Sequence, residues 1–178
     1  FWAFELYDVI PDIVTMGKPV GNGHPVAIVA CTKEVAKKFS NGMEFFNTFG
    51  GNPVSCAIGR TVLEIIEEEK LQLNALEVGE FLKAKLKELQ LKFHIIGDVR
   101  GEGLFLGFEL NTSEKKPLAE HATYLANRMK SLGVLMSTDG PDYNVLKIKP
   151  PMVFSKENVE ELIKRLKTVL AEDFMMNY

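Results

Sequence analysis

The sequence predicts an α/β fold with a smaller α+β part, and three observations carry that reading. Short apolar runs of strand length alternate with segments of helical periodicity. Clusters of Gly, Pro and Asn separate them. Past about residue 75 the texture shifts to paired strands set between helices, the pattern of an α+β layer. A soft boundary there places residues 1–75 in a first part and 76–178 in a second. With 178 residues, 46% of them hydrophobic, the chain can bury one sizeable core or two small ones.

Asp12 to Met16 reads as a short strand and Val26 to Cys31, a continuous apolar run, as a buried one. Between them Gly17 to Pro25 is a shaped loop. Thr32 is placed to cap a short helix to Phe39, with Glu34 in its first turn. Ser40 to Gly51 is irregular and rich in Phe and Gly. Asn52-Pro53 reads as N-cap and first position of a long helix whose apolar stripe is Ile58, Val62, Ile65 and Ile66. A second helix spans about Asn74 to Leu89, with Val78, Leu82, Leu86 and Leu89 on one face. Ile95 to Leu110 predicts two strands around a Gly-rich turn. Leu118 to Leu132 predicts a helix, and Val134 to Met136 and Val145 to Lys149 predict short strands. Ser155 caps a last helix striped by Val159, Leu162, Ile163, Leu166 and Leu170.

A net charge of −3 gives no electrostatic reason to expect nucleic acid or a membrane surface. No apolar stretch approaches the roughly 20 residues a spanning helix needs. Cys31 and Cys56 stand far apart without a CxxC pair, so no metal site is expected. Low cysteine use fits a reducing intracellular compartment, such as cytoplasm or mitochondrial matrix. The first residues, Phe1-Trp2-Ala3-Phe4-Glu5, contain neither Met nor a targeting segment, and a fragment lacking its natural start is expected.

Met16 to Pro25 holds three glycines and two prolines in ten residues. Gly allows close backbone approach and Pro fixes φ, so this loop should hold one conformation. Lys18 follows a strand, where partial desolvation would turn an amine into a nucleophile toward carbonyls. Taken alone, Lys18 reads as a solvated lysine beside an ordinary turn, and its spacing does not overturn that reading.

Four segments in order resemble the class III aminotransferases. PDIVTMGKPVGNGHPVA resembles their cofactor-lysine segment. Asn47-Thr48-Phe49-Gly50-Gly51-Asn52-Pro53 resembles their (S/T)-(F/Y)-G-G-N-P segment. Val99-Arg100-Gly101-Glu102-Gly103-Leu104 resembles an R-G-x-G-L turn, and Leu146 to Val153 (LKIKPPMV) an R-x-x-P-P-L segment. The resemblance implies the fold type I architecture: the C-terminal part of the pyridoxal-phosphate-binding large domain, then a small α+β domain. It implies that Lys18 holds pyridoxal 5'-phosphate as a Schiff base and then moves protons as base and acid. It implies a homodimer in which Thr48 donates to the cofactor phosphate of the neighbouring subunit, with backbone donors of Phe49 to Asn52 near a helix N-terminus. Arg100 is expected to support the small domain, with substrate contact as the lesser role. His24 is expected to shape its turn. Asn52-Pro53 equally fits a plain helix start.

Many family members carry Arg where this chain has Lys147, and there it clamps a substrate carboxylate. Lys147 and Lys149, two residues apart in a strand, point to one face and could hold a phosphate instead, or stand solvated. The wording of GKPVGNGHP and NVLKIKPPM resembles the alanine–glyoxylate aminotransferase 2-like branch, which includes ethanolamine-phosphate and 5-phosphohydroxylysine phospho-lyases. The resemblance therefore implies β-elimination of phosphate from a phosphorylated amine, with true transamination as the alternative and a non-catalytic dimer or regulatory module as a third reading. The family's partner for the pyridine nitrogen, its ring-stacking aromatic and its phosphate cup have no match in this chain, so the fragment by itself is expected to be inactive.

Overall fold

Lys70 adopts φ +53°, which ends one helix and lets the next start at Leu71. The computed structural model describes residues 1–178 as two units, Phe1–Lys70 and Leu71–Tyr178.

The first unit is held by local hydrogen bonds more than by a core. Strands β1 (Ile13–Met16) and β2 (Ile28–Cys31) form an antiparallel pair that matches Met16 with Ile28. Helix α1 (Lys33–Phe39) starts on the Thr32 hydroxyl, which accepts from the Val35 amide at 3.4 Å. Helix α2 (Pro53–Glu68) starts on the Asn52 carboxamide, which accepts from the Ser55 amide at 2.9 Å. Both caps stand where the sequence placed them. The expected buried strand does not: β2 is exposed for most of its length, with Val29 69% accessible. A two-stranded ribbon buries neither of its faces by itself. In the expected α2 stripe Ile58, Val62 and Ile66 are half-buried, whereas Ile65 is exposed.

The second unit contains the apolar core. Helix α3 (Leu71–Lys92) runs beyond both expected ends and buries Val78, Leu82, Leu86 and Leu89. Four antiparallel strands follow: β3 (Ile96–Glu102), β4 (Phe105–Leu110), β5 (Ser137–Asp139) and β6 (Val145–Ile148), in the order β3-β4-β6-β5. Helices α4 (Ala119–Ser131) and α5 (Lys156–Leu170) contribute Leu125, Met129, Leu162, Ile163 and Leu166 to the same cluster. Side chains alternate along the strands, with Leu106, Phe108, Leu110, Leu146 and Ile148 buried beneath the helices. Each such side chain stabilises the fold by roughly 1.5–3 kcal/mol. A short α6 (Asp173–Met176) buries Met175.

The expected strand Val134–Met136 is displaced to Ser137–Asp139. Gly133 at φ +83° and the Val134 amide, which donates to Met129, commit those residues to closing α4. The hairpin turn then sets the register, pairing Asp139 with Val145. Val134 and Met136 pack against the core as half-buried residues. No helix is long and apolar enough to cross a membrane.

Two close contacts fix this unit. Gly79 of α3 lies against the β3–β4 turn so tightly that a Cβ there would stand 2.1 Å from the Gly103 carbonyl oxygen and 2.3 Å from its carbon. Gly79→Ala gains about 1 kcal/mol of helix propensity but collides with backbone, an overpacking cost of about 1–3 kcal/mol. We expect net destabilisation, read as a lower denaturant midpoint of the protein; a higher midpoint would refute the contact.

Glu172 accepts from the Tyr124 hydroxyl at 2.6 Å and from Arg128 Nη2 at 2.6 Å. The Arg128 guanidinium, then the Tyr124 hydroxyl, hold the Glu172 carboxyl below its ordinary value of 4.5. Folding is thus favoured by the ionised form, fully so above that value and progressively less as pH falls through the lower folded one. The stability difference between the native protein and Glu172→Gln should be present at neutral pH and shrink below about pH 4. A pH-independent difference in acid-unfolding curves would rule this out.

Candidate functional site

Pairing of Met16 with Ile28 closes the β1–β2 hairpin around residues 17–27. At its mouth Gly17 caps a 3-10 turn, Lys18–Gly21, in which Pro19 removes one rotational freedom. The Val20 amide donates to Gly17 and the Asn22 amide to Pro19, both at 3.0 Å. Gly21 is buried, and a Cβ on it would meet Val26 Cγ1 at 2.7 Å. Beyond it His24 Nε2 shares a 2.8 Å hydrogen bond with Ser55 Oγ on α2. His24 therefore shapes the loop, and the loop is pinned at both ends.

Lys18 stands first in this turn. It is exposed and forms no ion pair. The partial desolvation expected from the sequence is absent within this chain, because β1 and β2 cover nothing beside it. Instead there is a primary amine on a fixed backbone, unpaired with any carboxylate. Those properties fit an aldehyde-bearing cofactor that condenses with an amine.

Thr48 lies in the second segment, on an exposed turn. The Asn47 carboxamide oxygen accepts from the Phe49 amide at 3.1 Å and the Gly50 amide at 2.9 Å, and the Asn52 amide donates to Phe49. These three backbone donors are thus spent inside the loop rather than offered outward, contrary to the expectation for Phe49 to Asn52. Gly51, at φ +70°, turns the chain into α2. The sequence reading includes Asn47 in this segment but gives it no role; the signal for one is an Asn two residues before Phe49, the Asx-turn spacing.

The remaining expected residues lie on the outward face of the four-stranded sheet. Register pairs Arg100 with Gly107 and Gly107 with Lys147, so these three form one cross-strand row. Gly107, lacking a side chain, leaves a gap between the two cations. A cleft of about 420 Å³ opens there, bordered by Phe105, Asp139 and Val145 as well as the row. Arg100 Nη1 donates to Asp98 at 2.8 Å and to Glu109 at 3.0 Å, and these carboxylates raise its pKa further. Lys147 is ion-paired with Asp139, and Lys149 lies 5.7 Å from the centre of the Phe105 ring. Lys147 and Lys149 do share a face. Asn74 Nδ2 steadies the segment after them by donating to the Met152 carbonyl at 2.7 Å and the Phe154 carbonyl at 3.1 Å. No cluster of His, Cys, Asp or Glu is suited to a metal.

A model of the aminotransferase class-III family matches residues 1–170. Over 167 residues the chain is 52% identical to an alanine–glyoxylate aminotransferase 2-like protein of Drosophila melanogaster, covering 92% of this chain and 34% of that protein. It is 47% identical to ethanolamine-phosphate phospho-lyase homolog 1 of Caenorhabditis elegans, over 96% of this chain and 38% of that one. An Arthrobacter phospholyase solved in complex with phosphoethanolamine superposes with a TM-score of 0.92 at 39% identity, covering 96% of this chain and 41% of the other. The chain thus spans about a third of the length of the curated relatives it matches.

Ser55→Ala removes the tie between α2 and the Lys18 turn. We expect a loss of about 1 kcal/mol together with faster amide exchange at Val20, Asn22 and His24. Unchanged exchange would mean that the Gly and Pro residues hold the turn unaided.

Proposed function

Because the chain belongs to the class-III aminotransferase family, we propose that it supplies the cofactor lysine of a pyridoxal-phosphate enzyme that eliminates phosphate from a phosphorylated amine. The observation that carries this reading is Lys18, an exposed and unpaired amine at the head of a turn locked by Gly21 and by the His24–Ser55 hydrogen bond. The elimination reading is supported by the two lysines on one sheet face and by similarity to a phospholyase solved with phosphoethanolamine. Transamination is the second reading, favoured by 52% identity to an alanine–glyoxylate aminotransferase 2-like protein.

On this reading residues Phe1–Lys70 belong to the cofactor-binding domain and Leu71–Tyr178 to the small domain. The exposed apolar residues of the first unit, Val29, Phe45, Phe46 and Phe49 among them, are covered by the rest of the protein and by a second subunit. In the resulting homodimer the Thr48 hydroxyl donates to the neighbour's cofactor phosphate. Bound pyridoxal phosphate supplies the electron sink that acidifies the substrate's amine-bearing carbon. Lys18 takes the proton from that carbon. The C–O bond on the adjacent carbon breaks, and phosphate leaves with the electron pair. Water then converts the remaining enamine into an aldehyde and ammonia. In transamination Lys18 would instead return the proton elsewhere, and no phosphate would leave. The leaving group of the substrate selects the outcome.

In the complete protein, incubation with pyridoxal phosphate followed by borohydride reduction and peptide mass spectrometry should place a pyridoxyl group on Lys18. A label elsewhere, or none, would defeat the catalytic reading. Free phosphate with ammonia identifies elimination; a new amino acid identifies transfer.

A further inference from the structure

One unbroken line of hydrogen bonds joins the Lys18 turn to the Thr48 loop. On the turn side, His24 Nε2 shares a 2.8 Å hydrogen bond with Ser55 Oγ. Ser55 Oγ also accepts from Asn52 Nδ2 at 3.0 Å. The same Asn52 nitrogen donates to the carbonyl of Phe49, the neighbour of Thr48, at 2.7 Å. Asn52 Oδ1 accepts from the Ser55 amide, so this side chain is held at both of its polar ends. Asn47 Oδ1 fixes the other side of Thr48 by accepting from the Phe49 and Gly50 amides. His24, Ser55 and Asn52 are half-buried, which limits competition from water. Ser55 is the junction, because its hydroxyl meets both His24 and Asn52. Behind the two loops there is no apolar core, since Gly21 and Gly59 are the buried residues of this unit. Order gained at one loop therefore reaches the other through these polar contacts.

We propose that Ser55 is a positioning residue that couples the two cofactor sites of the homodimer. This rests on the reading above, in which Lys18 holds the pyridoxal phosphate of one site while Thr48 of the same chain serves the other. Loading one site immobilises the Lys18 turn. Through His24, Ser55 and Asn52 that order reaches the Thr48 loop, which faces the site still empty. The second site then binds with less ordering left to do, which is positive cooperativity without a change of shape. A single line of neutral hydrogen bonds carries a coupling at the low end of the usual range, about fivefold.

The test uses mixed dimers of the complete protein, in which one chain is native and isotopically heavy and the other is unlabelled and carries Lys18→Ala. Pyridoxal phosphate and borohydride load the native Lys18 irreversibly, and dialysis clears the other site. Hydrogen exchange read by mass then follows residues 47–52 of each chain separately and needs no turnover. Loading should slow exchange of the heavy chain's Phe49 and Gly50 amides about fivefold, although their loop faces the empty site. Ser55→Ala in the heavy chain should abolish this slowing. The Asn52 cap survives that change, because it uses the Ser55 backbone amide. Ser55→Ala in the unlabelled chain should leave the slowing intact, and Ser55→Thr in the heavy chain should restore it. The unlabelled chain's loop faces the loaded site and should be slowed with or without the Ser55 hydroxyl. Slowing that persists when the heavy chain carries Ser55→Ala, or no slowing in the heavy chain at all, overturns the coupling and leaves the cofactor reading standing. If the unlabelled chain's loop is not slowed, Thr48 does not serve its neighbour, and the coupling of two sites falls with it. If Lys18 takes no pyridoxyl group, the cofactor reading and the coupling both fall.

Discussion

The alternation of one antiparallel sheet governs the second unit. Leu106, Phe108, Leu110, Leu146 and Ile148, with Ile96 and Val99 of β3, face the helices and give α3, α4 and α5 an apolar surface to cover. A strand has two faces and a period of two, so burying these residues commits their neighbours to the opposite face. Arg100, Glu109 and Lys147 are outward-facing for that reason alone. Once the register is set, Gly107 falls between Arg100 and Lys147 and opens the cleft. The chemistry of that face is a consequence of packing on the other.

The first unit solves a different problem by other means. Only Gly21 and Gly59 are buried in it, so the Lys18 turn gains little from hydrophobic burial. Its shape comes from the hairpin register, from Pro19, and from the hydrogen bond between His24 and Ser55. The Ser40–Gly51 loop is treated likewise, with the Asn47 carboxamide closing one turn and Asn52 starting α2. Directional polar contacts impose a geometry where there is no core to impose one, at roughly 1 kcal/mol each.

Charge compensation separates residues of the same type. Lys18, Lys147 and Lys149 look alike in a sequence, yet one is unpaired on a rigid turn, one is tied to Asp139 and one rests over an aromatic ring. Arg100 Nη1 is shared between Asp98 and Glu109, and that makes it a brace of the β3–β4 hairpin. The Gly79–Gly103 contact holds the same hairpin against α3 from behind.

Local signals determined much of this protein. Thr32, Asn52 and Ser155 cap helices where they stand, since a capping side chain reaches only its own next turn. The stripes of α3 and α5 lie on the core because helical periodicity is written in the order of residues. The ordered segments around Lys18, Asn52, Arg100 and Pro150 identified the family. Tertiary structure decided the rest. Val134–Met136 has strand composition, but the end of α4 takes the Val134 amide and the hairpin partner selects Ser137–Asp139. Val26–Cys31 has the composition of a buried strand, but burial needs a covering layer, which residues 1–70 do not contain. The pairing of Lys147 with Asp139 was invisible as well. It joins side chains on neighbouring strands, and only the register of β5 on β6 brings those two charges together.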